Sequence, residues 1–347
     1  MCNIDIMTDR YSHRGIRTFE KSHIIAFSDY GPRANPDVSS EERDSVDNYI
    51  ILCPTCHTTI DSAIGEEIYT VNMLKKIKNE KEKRVRELMA SLNNEVCMII
   101  KYASNIGGHH IDISDSDIRK ITFEKFFFTN EDIVNLSDNL DNEDTDTSKR
   151  SLDNSFGRVQ RIIESGETPA WCVFALAPQP LLIHLGKKLG DKENTHIFIK
   201  HRGCWKYDDD SMPLLFEFTS PFSCSKDREV VLVISITSNE SPDELKKTFG
   251  EEIDIWRIKV KNGKTGPDII TNQSELDNFY YESIKVLDAI GKEYGKEKLI
   301  NVLPIMCNAL AIKFGMAIMP KCHNPIIVFD AIKNEQGGIS YQKKISI

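Results

Sequence analysis

Apolar runs of strand length alternate with helical segments along the chain beyond residue 155. The run WCVFALA (171–177) precedes PQPLLIHLGKKLG, which has proline near its start and glycine at its end, as helices often do. Alternating strands and helices are typical of a mostly parallel sheet, so we predict an α/β architecture here. The later strands and helices that continue this alternation are predicted at 195–200, 229–237, 241–248, 253–260, 273–292, 299–318 and 325–332.

Two of these segments are similar to each other. FALAPQPLLIHLG (174–186) and NVLPIMCNALAIKFG (301–315) each contain a strand, a turn with proline and an apolar helix that ends in glycine. This internal similarity indicates two similar α/β halves, which we expect to face one another.

Residues 1–95 follow a different pattern and are predicted to form a small domain. Short extended pieces and a cluster of Cys and His precede a long charged helix at 70–92. Within that helix, KKIKNEKEKRVR (75–86) has seven Lys or Arg against two Glu. The run is either a solvated helix face with i,i+4 ion pairs or a helix that contacts a phosphate backbone.

Residues 96–155 are predicted to connect this domain to a C-terminal domain at 156–347. A strand, a Gly-Gly turn and an extended piece at 97–113 lead to a helical stretch at 115–135. The segment 138–155 is acidic and almost devoid of apolar residues, which predicts a linker or mobile loop.

The composition is that of a soluble globular protein, with 347 residues, 40% apolar and 28% charged, and no apolar run long enough for a bilayer. A net charge of −9 is weak evidence against nucleic-acid binding, because the distribution of charge matters more. Nine cysteines and no signal-peptide pattern favour free thiols and metal ligands over a disulfide framework. We therefore expect a cytoplasmic protein without a membrane partner.

The stretch NYIILCPTCHTTID (48–61) carries the first candidate chemistry. Cys53 and Cys56 have the C-x2-C spacing that suits two corners of a tetrahedral zinc ion, Zn²⁺. Cys2 is expected as a third ligand, since MCNID looks like the second half of another C-x-x-C that begins before Met1. The alternatives for the ligand that is still missing are His13 or a water.

His57 and Asp61 indicate a second cation. If a helix begins near Cys56, both side chains project from one face and suit Mg²⁺ or, alternatively, Mn²⁺. His23 is predicted to be the general base, because an imidazole with a pKa of about 6.5 removes a proton from water at neutral pH. Asn48 is expected to form a hydrogen bond across the loop and to hold His23 in its working orientation.

His23, Asn48 and the C-x-x-C-H at 53–57 resemble the HNH, or ββα-metal, endonuclease motif. The longer pattern around these residues, SHII…GPR…N.I.LC..CH..ID, is similar to that of the bacterial defence branch of the family. In many HNH enzymes an Asp or His precedes the general base and binds the ion, whereas here that residue is Ser22. The resemblance implies a metal-dependent endonuclease. The alternative is a zinc finger that only supports the fold.

A second candidate site follows from the α/β pattern, because ligands of such sheets bind beyond the carboxyl ends of strands, where helix N-termini present free N–H groups. The candidate ligand-binding residues share such positions or follow the strand at 195–200, and they are Pro178, Gln179, Arg202, Trp205, Pro304, Met306 and Asn308. Arg202 is expected to reach phosphates. Trp205 either stacks on a base or packs in the core, and Met306 is expected to pack more than to contact the ligand.

WCVFALAPQPLLIHLGKKLGDKENTHIFIKHRGCWKY (171–207) and NVLPIMCNALAIKFGMAIMPKCHNPIIVFDA (301–331) resemble a SAVED domain, the double CARF-like sensor of bacterial anti-phage CBASS systems. The resemblance implies two fused Rossmann-like halves that bind one cyclic oligonucleotide between them. The expected fold is an α+β N-terminal ββα-metal (HNH) domain followed by an α/β SAVED domain made of two CARF-like Rossmann-type halves.

The order HNH then SAVED matches a CBASS effector nuclease. Such a protein is expected to cut double-stranded DNA after a cyclic di- or trinucleotide binds and drives homo-oligomerisation, for example to a tetramer. One alternative is a modification-dependent HNH restriction endonuclease whose C-terminal domain reads DNA directly, which predicts a basic groove there. The other alternative is a non-enzymatic nucleotide-binding regulator, which requires an inactive HNH site.

Overall fold

The computed structural model describes residues 19–91, 94–137, 144–164, 170–191, 194–208, 211–333 and 339–347. The chain divides into two compact units, residues 1–93 and residues 94–347, which we call the N-terminal unit and the C-terminal unit. The predicted division at 95/96 and 155/156 stays a prediction. No helix in the described ranges is long and apolar enough to cross a membrane.

The N-terminal unit combines an antiparallel hairpin with helices. Its elements are β1 (Glu20–His23), α1 (Ser40–Arg43), a 3₁₀ turn (Val46–Asn48), β2 (Tyr49–Leu52), α2 (Pro54–Ile60), α3 (Ala63–Ile68) and α4 (Val71–Ser91). Strands β1 and β2 pair with each other. Helix α2 begins at Pro54, whose fixed backbone angle suits a first helical position. Ile24, Ile50, Leu52 and Leu74 are buried in one apolar core.

Helix α4 confirms the long charged helix predicted at 70–92. One lysine of its basic run supports the fold, because buried Lys78 donates hydrogen bonds to the carbonyl oxygens of Val46 (2.7 Å) and Tyr49 (2.9 Å). Its neighbours Lys75 and Lys76 are exposed. The basic run therefore combines a packing role with a solvated face.

The C-terminal unit is α/β. Its elements are β3 (Glu95–Ala103), α5 (Asp115–Thr122), β4 (Phe126–Phe127), β5 (Ile133–Asn135), α6 (Thr145–Ser155), α7 (Gly157–Glu164), β6 (Ala170–Leu176), α8 (Gln179–Leu189), β7 (Thr195–Ile197), β8 (Ile199–His201), β9 (Cys204–Lys206), β10 (Phe216–Thr219), β11 (Glu229–Ser235), α9 (Pro242–Phe249), β12 (Ile253–Val260), α10 (Gln273–Tyr294), β13 (Ile300–Ile305), α11 (Asn308–Ala317), β14 (Ile326–Lys333) and β15 (Ile339–Ser346).

These strands form two main sheets. The first has the order β4-β3-β6-β7, with β5 also paired to β3, and each of these pairs is parallel. The second has the order β10-β12-β11-β13-β14-β15, in which the central pairs are parallel and the two outer pairs are antiparallel. The predicted α/β fold with two Rossmann-like halves is confirmed, and one apolar core includes residues from both sheets.

Helices α8 and α11 belong to the two similar segments of the sequence, and they pack against each other at a glycine of each helix. A Cβ on Gly186 would lie 2.0 Å from the carbonyl oxygen of Ile312, and a Cβ on Gly315 would lie 2.0 Å from that of Ile183. The predicted glycine end of the segment PQPLLIHLGKKLG is confirmed, since α8 ends at Leu189 and Gly190 follows it. The helix ends at Gly186 and Gly315, predicted from the two similar segments, were wrong, because α8 continues to Leu189 and α11 to Ala317. Both glycines instead permit a reciprocal backbone contact between the halves.

Two segments between residues 96 and 155 differ from expectation. The helical stretch predicted at 115–135 ends at Thr122, and β4 and β5 follow it. The predicted linker at 138–155 is helical over Thr145–Ser155, while residues 138–143 lie outside the described ranges. Leu152 on α6 and Val159 on α7 are fully buried in the apolar core, so both helices pack against it. Strand β3 belongs to the same sheet as β6.

Candidate functional site

The hairpin of β1 and β2 places two sets of side chains on opposite faces. Glu20 pairs with Leu52, and His23 pairs with Tyr49. Successive residues of a strand point to opposite faces, so Glu20 shares the face of the buried residues Ile50 and Leu52. His23 lies on the other face.

Helix α2 brings His57 and Asp61 together, as the i and i+4 spacing predicts. His57 Nε2 lies 3.1 Å from Asp61 Oδ2, and His57 Nδ1 lies 2.5 Å from Glu20 Oε2. The imidazole therefore lies between two carboxylates. Glu20 was not identified from the sequence, because nothing in the spacing links it to a histidine 37 residues further along the chain.

Arg33 extends this cluster and was also not identified. Its Nη2 forms a 2.6 Å ion pair with Asp61 Oδ1, while Nε and Nη1 donate to the carbonyl oxygens of Ile24 (2.9 Å) and Ile60 (2.6 Å). The Arg33 side chain is only 5% exposed. Its backbone φ of 56° lies in the left-handed region that non-glycine residues rarely occupy, so it is held there by these contacts.

Asn48 is buried and connects backbone segments. Its Oδ1 accepts from the Ile25 N–H (2.9 Å), and its Nδ2 donates to the carbonyl oxygens of Ile25 and Arg43 (both 2.8 Å). The expected hydrogen bonds across the loop are present, and they hold the backbone of Ile25, which lies two residues after His23. The ring of His23 receives no hydrogen bond from Asn48 within the described ranges.

The ring of His23 packs against aromatic side chains. Its centroid lies 4.6 Å from that of Tyr49 and 5.8 Å from that of Phe27. Its Nε2 is buried and has no hydrogen-bond partner among the described residues. The structure thus brings His57 and Asp61 together but does not join His23 to them by a hydrogen bond.

The predicted zinc ligands lie only in part within the described ranges. Cys53 and Cys56 are buried, and Cys53 Sγ accepts from the Cys56 N–H at 3.4 Å across the first turn of α2. Cys2 and His13 lie outside those ranges. Among the described residues, no group of three or more His, Cys, Asp or Glu side chains is arranged to hold a metal ion. Two thiols supply half of the four ligands of a structural zinc site.

The donor set at His57 suits a cation that binds few protein ligands. Mg²⁺ is usually held by one or two carboxylates together with waters and substrate phosphates, at ligand distances of about 2.1 Å in octahedral geometry. Neighbouring ligands of such an ion lie about 3 Å apart. The 3.1 Å separation of His57 Nε2 and Asp61 Oδ2 fits that requirement.

In the C-terminal unit, the ends of β6 and β13 are joined by crossed hydrogen bonds. Gln179, at the start of α8, donates from Nε2 to the carbonyl oxygen of Met306 (2.9 Å). Asn308, at the start of α11, donates from Nδ2 to the carbonyl oxygen of Ala175 (3.0 Å) and accepts from the Lys200 N–H (3.4 Å). Each half therefore sends an amide side chain to the strand end of the other.

The other predicted ligand-binding residues differ in exposure. Pro178 is half-buried beside Gln179, whereas Pro304 and Met306 are buried. Arg202 is 85% exposed on the turn between β8 and β9. Trp205 is 6% exposed, with its ring edge-on to Phe174, so the indole contributes to the core and offers little surface for stacking.

Cys307 lies between these residues, directly before α11. Burial raises the pKa of its thiol to about 11, although backbone N–H groups of the helix oppose this shift. The thiol is therefore protonated at neutral pH, which makes it a poor nucleophile in this state.

Comparisons with known proteins find a family match within each unit. Residues 152–347, more than half of the chain, match the family model of the "SMODS-associated and fused to various effectors sensor domain" (SAVED), and residues 2–64 match that of the HNH endonuclease. Both resemblances found in the sequence are confirmed. No curated protein matches the chain.

Solved structures of SAVED/CARF-domain receptors are similar to part of the chain. The Acinetobacter baumannii Cap4 receptor with the cyclic trinucleotide 2'3'3'-cAAA is 12% identical, with a TM-score of 0.46, over 72% of this chain and 51% of its own. The Moraxella osloensis Cap4 receptor is 13% identical, with a TM-score of 0.43, over 72% and 49%. The chain thus spans about half the length of these receptors. On the family matches, the chain belongs to the SAVED family and carries an HNH endonuclease domain ahead of its sensor domain.

Proposed function

We propose that this chain is a cytoplasmic anti-phage effector of the CBASS type, in which a cyclic oligonucleotide activates cleavage of double-stranded DNA. The observation that carries the proposal is the presence of an HNH endonuclease match and a SAVED match in one chain. A nonspecific nuclease that was always active would destroy its host, so a sensor in the same chain provides the necessary control.

HNH endonucleases depend on a metal ion, and we assign the ion of this chain to His57 and Asp61. The ion is Mg²⁺ or Mn²⁺, and it supplies positive charge that stabilises the phosphate and the departing 3′ oxygen. Arg33 holds Asp61 by its Oδ1 and leaves Oδ2 beside His57. Cys53 and Cys56, together with Cys2, are the proposed ligands of a structural Zn²⁺.

His23 is the proposed general base, which accepts a proton from the attacking water. Its unpaired Nε2 is an acceptor suited to that role, and Asn48 fixes the backbone that follows it. Because this atom is buried against aromatic rings, proton abstraction requires the ring to turn towards the substrate. Catalytic hydrogen bonds often form only in the substrate complex.

The proposed ligand site lies where Gln179 and Asn308 cross between the two halves. Gln179 Oε1 is buried and has no hydrogen-bond partner in the described ranges, so it is an acceptor that a ligand N–H or O–H can satisfy. Pro178, Pro304 and Met306 shape the same strand ends, and exposed Arg202 is suited to a phosphate. The ligand class is a cyclic di- or trinucleotide.

A panel of synthetic cyclic di- and trinucleotides tests this function, with thermal shift and plasmid degradation measured on the same samples. We expect one or a few ligands to raise the melting temperature and to start degradation together. A ligand that stabilises the protein without starting degradation would support a non-enzymatic regulator, and degradation without any ligand would support a restriction endonuclease.

Ligand binding is further proposed to drive homo-oligomerisation, which pairs HNH domains on one duplex. Sedimentation velocity with and without the activating ligand measures this directly. We expect a shift from a smaller species to a dimer or tetramer on ligand addition. An unchanged sedimentation coefficient in a sample that cuts DNA would contradict it.

A further inference from the structure

The loop that follows His23 carries two exposed aromatic side chains. Tyr30 is 100% exposed, and Phe27 is 54% exposed. Phe27 lies beside His23, with 5.8 Å between the two ring centroids. Single exposed apolar residues are common on protein surfaces, so a binding role for these rings depends on how the loop holds them.

A tight turn presents Tyr30. The Gly31 N–H donates to the carbonyl oxygen of Ser28 (3.3 Å), and the Tyr30 N–H donates to Ser28 Oγ (3.3 Å). The four residues 28–31 therefore form a β-turn with Tyr30 at its third position. A Cβ on Gly31 would lie 2.7 Å from the Cβ of Ala26, so the turn packs closely against the chain that precedes it.

Buried Arg43 fixes the turn from the inside. Its Nη1 donates to the carbonyl oxygen of Phe27 (2.9 Å) and forms a 2.7 Å ion pair with Asp29 Oδ1. Its Nε and Nη2 donate to the carbonyl oxygens of Val38 (3.0 Å) and Asn35 (2.9 Å). One guanidinium thus joins the chain before the turn, the turn itself and the chain after it. The turn is preorganised, so a contact made by its exposed ring costs little further ordering of the loop.

The chemistry of the turn favours a base over a phosphate. Asp29 is the one charged residue among residues 28–31, and its ion pair with Arg43 compensates that charge. The turn therefore offers an aromatic surface without a lysine or arginine, the side chains that supply most of the affinity for phosphates. Aromatic rings stack on any base, because every base has a π face.

We propose, on the basis of the nuclease function proposed above, that Tyr30 inserts its ring at a base step next to the cleaved bond. The proposed general base, His23, acts beside the scissile phosphate, and Phe27 connects its ring to the start of the turn. The turn therefore borders the duplex when the site is engaged. Apolar side chains that enter between bases partly unstack them. Pyrimidine–purine steps unstack most easily, so Tyr30 biases cleavage towards those steps.

Duplex binding provides the first readout. It is measured by the anisotropy of a labelled DNA duplex at several salt concentrations, on the full chain without added divalent cation and with the cyclic oligonucleotide that most raises its melting temperature. We expect Tyr30→Ala to weaken the affinity about 5–150-fold, and Tyr30→Phe, which keeps the ring, to stay within a few-fold of the wild type. The slope of log affinity against log salt is expected to be the same in all three proteins, because no phosphate contact is removed.

The matched control is Tyr281→Ala, which removes an exposed tyrosine of the C-terminal unit and is expected to bind the duplex like the wild type. Because the Tyr30 side chain is fully exposed, the melting temperature of Tyr30→Ala without DNA is expected to equal that of the wild type.

The positions of the cuts provide the second readout, from partial plasmid digestion with Mg²⁺ and sequencing of the new ends. We expect ends of the wild type to be enriched at pyrimidine–purine steps, and those of Tyr30→Ala to be spread evenly over all steps. A purely structural role of Tyr30 would lower the rate without changing where the cuts fall.

Equal affinity of Tyr30→Ala and the wild type, a changed salt slope, or a Tyr30→Phe variant that behaves like Tyr30→Ala would overturn the base contact. The same cut positions in Tyr30→Ala and the wild type would also overturn it, while the nuclease function would stand. A wild type that shows the expected binding differences but cuts no DNA would instead refute the nuclease function and leave the base contact in place. The two failures are therefore distinguishable.

Discussion

A substitution of His23 is expected to separate DNA cleavage from ligand sensing, because it alters the proposed general base and leaves the sensor domain intact. Replacing His23 by Ala removes the proposed general base, and positioned acid–base groups contribute about 10²–10⁴-fold to rates. We expect the initial rate of plasmid cleavage to fall by that factor, while ligand-induced thermal stabilisation is unchanged. His109→Ala, at an exposed position of the C-terminal unit, is the control and is expected to retain activity. Full cleavage by His23→Ala would remove His23 from the mechanism.

A second residue, Asp330, makes stability depend on pH. Burial raises the pKa of this carboxyl to about 6 from its ordinary value of 3.8, so the folded state disfavours its charge. Above pH 6 the carboxyl is ionised in the folded and the unfolded state, and the destabilisation of the folded state is complete. It disappears as the pH falls towards 4, because the folded state has the higher pKa and takes up the proton before the unfolded state does.

Asp330→Asn is therefore expected to raise the free energy of unfolding at pH 7 by on the order of 2 kcal/mol and to have little effect near pH 4. The Asn oxygen can still accept the hydrogen bond from the Ala331 N–H. Urea unfolding at several pH values measures the difference, with exposed Asp227→Asn as the control. A difference that does not change with pH would contradict the raised pKa.

At the scale of elements, the contact between α8 and α11 depends on Gly186. A Cβ at this position would lie 2.0 Å from a backbone oxygen of α11, so Gly186→Ala must push the two helices apart. We expect a loss of about 1–3 kcal/mol in the free energy of unfolding, as for other overpacked cores. Gly157→Ala, where nothing lies within 4 Å of the new Cβ, is expected to be neutral or slightly stabilising. Equal effects of the two substitutions in urea unfolding would contradict the close approach.

The elements of the two α/β halves were predictable because each has a strong local pattern. The apolar run at 171–177 and the helix after it appear as β6 and α8 close to their predicted limits. Helix α6 was missed because its polar composition hid the apolar position Leu152, which is fully buried. A single apolar residue in an acidic stretch gives no detectable period.

The contacts within the candidate sites were predictable from the sequence only where a single helix determines them. The i,i+4 relation of His57 and Asp61 follows from helix geometry alone, and it was predictable. The contact of Glu20 with His57 depends on the register of β1 against β2 and on how α2 packs, as does the face on which His23 lies. The burial of Trp205 likewise depends on the neighbouring Phe174 rather than on its own segment.

At the scale of the whole molecule, the proposed function requires a sensor and a nuclease that act as one switch. The C-terminal unit contains two halves joined by the crossed contacts of Gln179 and Asn308, and the N-terminal unit contains the cluster around His57. Cleavage without regulation would make the sensor unnecessary, and sensing without cleavage would leave the HNH unit without a role.

The initial rate of plasmid cleavage by the purified chain with Mg²⁺, measured with and without the cyclic oligonucleotide that most raises its melting temperature, tests this directly. We expect cleavage to be barely detectable without the ligand and at least tenfold faster, roughly 1.4 kcal/mol in activation free energy, with it. Equal rates in the two samples would contradict a ligand-gated nuclease.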